Sequence, residues 1–263
     1  MSSRTRGAWR STWMSSHVLS KVKRWAVTTA QAPAVKFTSW YLPRLAQRPD
    51  LRSPSLEQLI VDQFHRLYYD DPGTWLDTSW LGVTAWKCPL DLWIYQEMLQ
   101  ELRPQLIIEC GTAAGGSAYF LASVCDLLGQ GQIVTIDVEP MPGRPVHPRI
   151  TYLQGSSVDP EVVEKVRAMT RTDGHVLVIL DSDHHEPHVS REIAAYSHMV
   201  TVGSYLVVED TNVNNHPIYS GYGPGPMEAV EQFLKGNDQF VVDEGKQKHH
   251  LTFNPRGYLR RVN

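Results

Sequence analysis

Residues 106–117 read LIIECGTAAGGS, an apolar run that closes on an acid and opens into a glycine-rich turn. Leu106, Ile107 and Ile108 have the character of a strand buried on both faces, as in a parallel sheet. Glu109 then falls at the strand's carboxyl end, and Gly111, Gly115 and Gly116 allow a sharp turn and close approach of the backbone to a ligand. A second run, Ile133-Val134-Thr135-Ile136, ends in Asp137. An acid after the second strand of an α/β unit is placed to bind ribose hydroxyls. The turn is not the dinucleotide fingerprint: G-T-A-A-G-G-S lacks the G-x-G-x-x-G spacing, and the preceding acid repels phosphate. That acid suits a ligand with an amino group. S-adenosylmethionine carries an amino acid and a ribose and no phosphate. The turn alone favours it over a dinucleotide and leaves a purely structural strand–turn–helix open.

Working outward, strands alternate with helices. Strands are expected at 106–109, 132–137, 150–153, 176–180 and 204–208, with helices near 117–128, from 159, at 188–199 and at 226–235. This alternation predicts a mostly parallel sheet. Phe240–Val242 and Leu251–Asn254 read as a terminal antiparallel pair, and 257–262 as a further edge. Upstream, Ser55 is placed as an N-cap with Gln58 at the capping-box position of a helix running to about Tyr69. Residues 70–90 form an aromatic loop, and 91–103 a second helix. The expected organisation is a basic, peripheral or disordered head (1–53), a helical cap (54–104) and an α/β core (105–263).

Two further strands end in acids. Val176–Leu180 is followed by Asp181-Ser182-Asp183-His184-His185, and 204–208 by Glu209-Asp210. In an open parallel sheet the carboxyl ends of the strands share one edge. Clustered carboxylates repel unless a cation compensates. Oxygen donors from several carboxylates suit Mg²⁺ or Mn²⁺ better than zinc, so Asp181, Asp183, Glu209 and Asp210 are the candidate ligands. His184, three residues past Asp181, is the candidate general base. His185 is the other choice, and a capping role is the alternative for either.

The segments GTAAGGSA, VTIDVE, LDSDHH, GSYLVVEDTN and GPGPMEAVEQFL, with WLGVTAWKCPLDLWIYQEML upstream, resemble the cephalosporin hydroxylase family, which takes in rhamnosyl O-methyltransferase relatives. The resemblance spans roughly residues 75–255. It implies a Rossmann-like class I methyltransferase fold: a mostly parallel seven-stranded sheet with an antiparallel C-terminal strand pair, here with an N-terminal helical extension. It implies S-adenosylmethionine and Mg²⁺ as cofactors, bound by Asp181 or Asp183 with Glu209 and Asp210. Catechol O-methyltransferases have a lysine three residues after the first ligand. His184 stands there instead, which argues against a catechol substrate. On the resemblance, Glu109 holds the methionine amino end through the turn (Gly111, Ala113, Gly115, Ser117), Asp137 the ribose, and Ser156 and Ser157 lie near the adenine. Trp80 and Trp86 would wall the acceptor pocket with the loop 210–223 (Asn214, His216, Tyr219, Tyr222), or simply pack. The expected acceptor is a hydroxyl of a small molecule, sugar or natural product. Competing readings are an iron-dependent hydroxylase using His184, His185 and Asp181, and a non-catalytic S-adenosylmethionine-binding protein.

Charge is uneven along the chain. Residues 1–49 carry nine Lys or Arg and no acid, leaving 16 basic against 28 acidic residues downstream. The acidic core argues against nucleic acid, while the basic, Trp-containing head suits weak contact with a membrane surface. No apolar run approaches the length of a transmembrane helix, and the head lacks the long apolar stretch of a secretory signal. Three scattered cysteines, Cys88, Cys110 and Cys125, fit reduced thiols in a cytoplasmic protein. A homo-oligomer is expected.

Overall fold

A computed structural model describes residues 55–71, 73–170 and 173–263. The expectations for residues 1–53 lie outside the described residues. The apolar runs read above form a seven-stranded sheet in the order β5-β4-β3-β6-β7-β9-β8. Its strands are β3 (Leu106–Cys110), β4 (Gln132–Asp137), β5 (Ile150–Gln154), β6 (Val176–Leu180), β7 (Tyr205–Val208), β8 (Phe240–Val242) and β9 (Tyr258–Arg261). A small pair, β1 (Ser79–Trp80) and β2 (Val83–Thr84), lies within the predicted aromatic loop. Strands β3 to β7 pair in parallel, and β9 runs antiparallel to both β7 and β8. Strands β3 and β6 are buried at every position, which explains their unbroken apolar sequences: helices cover both faces.

The helices are α1 (Leu56–Asp70), α2 (Pro89–Leu102), α3 (Gly116–Leu128), α4 (Pro160–Met169), α5 (Glu186–Tyr196) and α6 (Pro226–Leu234). On one face α2 and α3 bury Ile94, Met98, Leu99, Ala118 and Leu121 against Ile107, Ile133 and Ile179. On the other, α4, α5 and α6 bury Val162, Val166, Val189, Ile193 and Val230 against Ile108, Val134 and Val178. Starts are set by local chemistry. Asp159 accepts from Glu161 N at 2.8 Å with Pro160 in the first turn of α4. At α6, Glu228 Oε2 accepts from the N-cap amide of Gly225 at 2.7 Å, beside Pro226 in the first turn. Helix α5 starts two residues before its expected position and ends at Tyr196, with a short 3-10 turn over Ser197–Met199.

Leu251–Asn254 is not a strand. Its apolar alternation buries Leu251 and Phe253 beneath α1 and the following turn, against Tyr68, Tyr69 and Trp75. The backbone there bonds to side chains instead of a ladder: Phe253 N donates to Asp91 Oδ2 and Asn254 N to Thr252 Oγ1. The second strand of the antiparallel pair is β9, which lies between β7 and β8 and not at the edge. Leu56–Asn263 forms one compact unit, and no helix among the described residues is long and apolar enough to cross a membrane.

Candidate active site

The order of strands reverses at β3: the chain steps outward to β4 and β5, then returns to β6 on the other side. In such sheets the crevice beyond the carboxyl ends of these strands is the natural ligand site. A cavity of about 360 Å³ opens there. The turn after β3 lines it through Gly111, Thr112, Ala113, Gly116 and Ser117, the end of β4 through Asp137, and the ends of β6 and β7 through Asp181, Ser182, His184 and Asp210. Tyr69, Trp75, Trp86, Lys87 and Phe253 complete its walls.

The turn's glycines serve the close approach of the chain to itself. A Cβ on Gly111, at φ +97°, would lie 1.9 Å from the carbonyl oxygen of Asp181. One on Gly116 would lie 2.1 Å from the carbonyl oxygen of Thr84. The first contact lets the ends of β3 and β6 meet, and the second seats the β1–β2 pair on the start of α3. Asp137 Oδ2 fastens the turn by accepting from Thr112 N (3.1 Å) and Ala113 N (2.8 Å), with an Arg144 guanidinium nitrogen 3.3 Å away.

Glu109 is fully buried beneath this turn. Ser117 Oγ donates to its Oε1 at 2.5 Å and Thr135 Oγ1 to its Oε2 at 2.7 Å, as a buried carboxylate requires. Burial raises its pKa, and Lys87 acts in the opposite direction. Glu109 does not line the cavity, and neither do Gly115, Ser156 or Ser157. Ser157 instead belongs to a buried polar knot, donating to Glu192 Oε1 at 2.5 Å beside His188.

In the same cavity, single donor atoms of Asp181, His184 and Asp210 lie within 4.8 Å of one another. Asp210 adopts φ +52°, an uncommon conformation that Asp tolerates, and its N–H donates to Asn254 Oδ1 at 3.0 Å. His184 Nε2 is 3.4 Å from Asp210 Oδ2. Burial alone would lower the pKa of His184, but Asp210, Asp181 and Glu209 outweigh it and raise the value. Burial pushes Asp181 up to about 6, against the pull of Lys87. Glu209 stands just behind, with Oε1 accepting from Lys87 Nζ at 2.5 Å and from Tyr95 OH at 2.6 Å. Asp183 points away: its Oδ1 accepts from His185 N at 2.8 Å and lies 2.7 Å from the His185 ring. The two-histidine set for iron is therefore not assembled, since His185 stacks on Tyr222 outside the cavity.

Two carboxylates converging on one point, with Glu209 adjacent, fit a hard divalent ion, and the imidazole of His184 stands beside them. The charge balance favours the same conclusion. Glu109, Asp181, Glu209 and Asp210 crowd one sheet edge, and Lys87 is the single Lys or Arg in the cavity lining.

Some neighbours differ from the sequence reading. Trp86 lines the cavity, but Trp80 packs on Phe120 and donates to Ser123 Oγ at 3.0 Å. Asn214 and His216 are held by Glu228, and Tyr219 packs edge-on to Tyr69. None of these, nor Tyr222, lines the cavity. Lys87 and Tyr95 were not anticipated. The lysine lies 94 residues upstream of Asp181 in sequence, in an aromatic segment with no local sign of a charged role.

The family model described as Rhamnosyl O-methyltransferase/CmcI matches residues 72–262. A rhamnosyl O-methyltransferase of Mycobacterium tuberculosis is 37% identical over 214 residues, covering 77% of this chain and 85% of that protein. Its counterpart in Mycobacterium leprae is 36% identical over 209 residues, covering 77% and 90%. Among solved structures, cmcI with Mg and SAM superposes with a TM-score of 0.57 at 22% identity, over 90% of this chain and 89% of that one, a likeness of fold. The chain belongs to the rhamnosyl O-methyltransferase/CmcI family.

Proposed function

We propose that this chain is an S-adenosylmethionine- and Mg²⁺-dependent O-methyltransferase acting on a hydroxyl of a sugar or sugar-bearing small molecule. The observation that carries the reading is a single cavity lined both by the glycine-rich turn with Asp137 and by Asp181, His184 and Asp210. The names of the relatives supply the acceptor class.

When bound, S-adenosylmethionine supplies an electrophilic methyl group, and Mg²⁺ supplies positive charge that acidifies the acceptor hydroxyl. The turn 111–117 and Asp137 hold the methyl donor, with Glu109 supporting the turn from below through Ser117. Asp181 and Asp210 hold the ion, with Glu209 beside them. His184 takes the hydroxyl proton at Nε2, where Asp210 Oδ2 favours the charged ring. Tyr69, Trp75, Trp86 and Phe253 give the site aromatic walls. Holding acceptor and donor in one cavity removes the entropic cost of their encounter. The three cysteines are buried free thiols, consistent with work in the cytoplasm.

The test is calorimetry with S-adenosylmethionine and with NAD, followed by transfer of labelled methyl from S-adenosylmethionine to rhamnosides and other glycosides, with and without chelator. Micromolar binding of S-adenosylmethionine, on the order of 8 kcal/mol, and metal-restored transfer to a glycoside are expected. Tight NAD binding without S-adenosylmethionine binding overturns the reading, and full activity in excess chelator removes the metal from it.

A further inference from the structure

Lys87 is the cation that the site already contains. Its side chain is 4% exposed, and its ammonium donates to Asp181 Oδ2 and to Glu209 Oε1. These acids end two different strands, β6 and β7, so one ammonium ties the two strand ends together. Lys87 reaches them from the segment between β2 and α2, whose preceding residues are pressed onto the start of α3 where Gly116 meets Thr84. Both contacts pair the ammonium with a carboxylate that is itself largely buried. Lys87 is a fixed positive charge sharing carboxylates with the proposed metal.

We propose that Lys87 is a positioning residue: a built-in counter-cation that holds Asp181 and Glu209 in place without metal, and weakens the hold of the site on a divalent ion. The second half of this inference rests on the metal reading above. A fixed positive charge beside the ion repels it, and that repulsion is strong where water is largely excluded. The same charge relieves carboxylate repulsion that would otherwise open the strand ends. Lys87 thereby trades affinity for a site that stays assembled and releases its ion readily.

The experiment uses the full chain with Mn²⁺ alone as the probe, following free Mn²⁺ by electron paramagnetic resonance and unfolding by thermal melting in chelator or in Mn²⁺. For the wild type, chelator should change Tm little. K87M should melt several degrees lower in chelator and recover in Mn²⁺, and it should bind Mn²⁺ about tenfold more tightly, a change of about 1.4 kcal/mol. K87R, which keeps the charge, should follow the wild type in chelator. If K87M does not fold in chelator, the double variant K87M/E209Q decides: removing the facing acid should restore folding. A K87M protein with wild-type Tm in chelator and unchanged Mn²⁺ affinity overturns the proposal, as does a double variant no more stable than K87M. Should the wild type bind no Mn²⁺, the metal reading fails. The chelator comparison of K87M with K87M/E209Q then still decides the counter-cation role.

Discussion

His65 Nε2 lies 2.9 Å from the amide nitrogen of Asn212, joining α1 to the loop that begins with Asp210. The imidazole is buried and stacks on Phe253 with ring centroids 5.7 Å apart. The amide donates, so the ring nitrogen must be unprotonated, and burial lowers the His65 pKa from 6.5 to about 4.

This contact predicts an acid-sensitive fold. Between pH 6.5 and 4 the unfolded chain takes up a proton at His65 that the folded chain refuses, so stability falls as pH falls through that window. Above pH 6.5 both states are neutral and the contribution is constant. The loss between pH 7 and pH 5 should be about 2 kcal/mol from this group. Urea unfolding at the two pH values checks it: H65Q should show a shallower pH dependence than the wild type by that amount. Equal slopes would show that His65 is accessible to protons in the folded chain.

Gly111 should be nearly irreplaceable. A methyl group there meets the Asp181 carbonyl oxygen at 1.9 Å and its carbon at 2.5 Å, in a left-handed backbone. G111A should therefore cost about 3 kcal/mol or more, combining overpacking with backbone strain. Gly129 is the control. It has φ +75° and nothing within 4 Å of an added Cβ, so G129A should cost only about 1 kcal/mol. Equal urea midpoints for the two variants would show that the turn yields freely.

The features legible in the sequence were those with a local signature. The run at β3 gave a buried parallel strand because every position is covered by helices, and the acids after β6 and β7 marked the edge that became the cavity. What was not legible depends on direction and distance. Asp181 and Asp183 both follow β6, and only the course of the loop decides which one faces Asp210. Leu251–Asn254 has the alternation of a strand, yet its alternate positions pack beneath α1. Lys87 lies in an aromatic stretch, and nothing around it foretells two carboxylates brought in from 94 and 122 residues downstream. Ser157 carried the right position after β5 but turned its hydroxyl to Glu192.

The two acids after β6 can be separated by metal affinity. Asp181 shares the cluster with His184 and Asp210, whereas Asp183 is half-exposed and occupied by His185. D181N should weaken Mn²⁺ binding about tenfold or more. D183N alters only a solvent-exposed contact with His185 and should leave affinity within about twofold. Free Mn²⁺ measured across a titration of each variant checks the pair. A large loss in D183N with none in D181N would move the ligand two residues along.

His184 and His185 are adjacent, yet the structure gives them opposite surroundings. His184 lines the cavity with Nε2 beside Asp210 Oδ2, while His185 faces Asp183 and Tyr222 outside it. If His184 takes the acceptor proton, H184A should lower turnover by about 10²–10⁴. Affinity for S-adenosylmethionine should be nearly unchanged, because the proposed donor contacts are the turn and Asp137 and do not include His184. The fall should appear in kcat and kcat/KM alike, since proton removal matters only on the way to the transition state. H185A should stay within a few-fold of the wild type. Turnover of both variants at saturating donor, with calorimetry for S-adenosylmethionine, is the measurement. A silent H184A would leave proton removal to solvent and to the acidifying charge of the metal, and a large loss in H185A instead would mean that the loop after β6 turns the other histidine inward in the working enzyme.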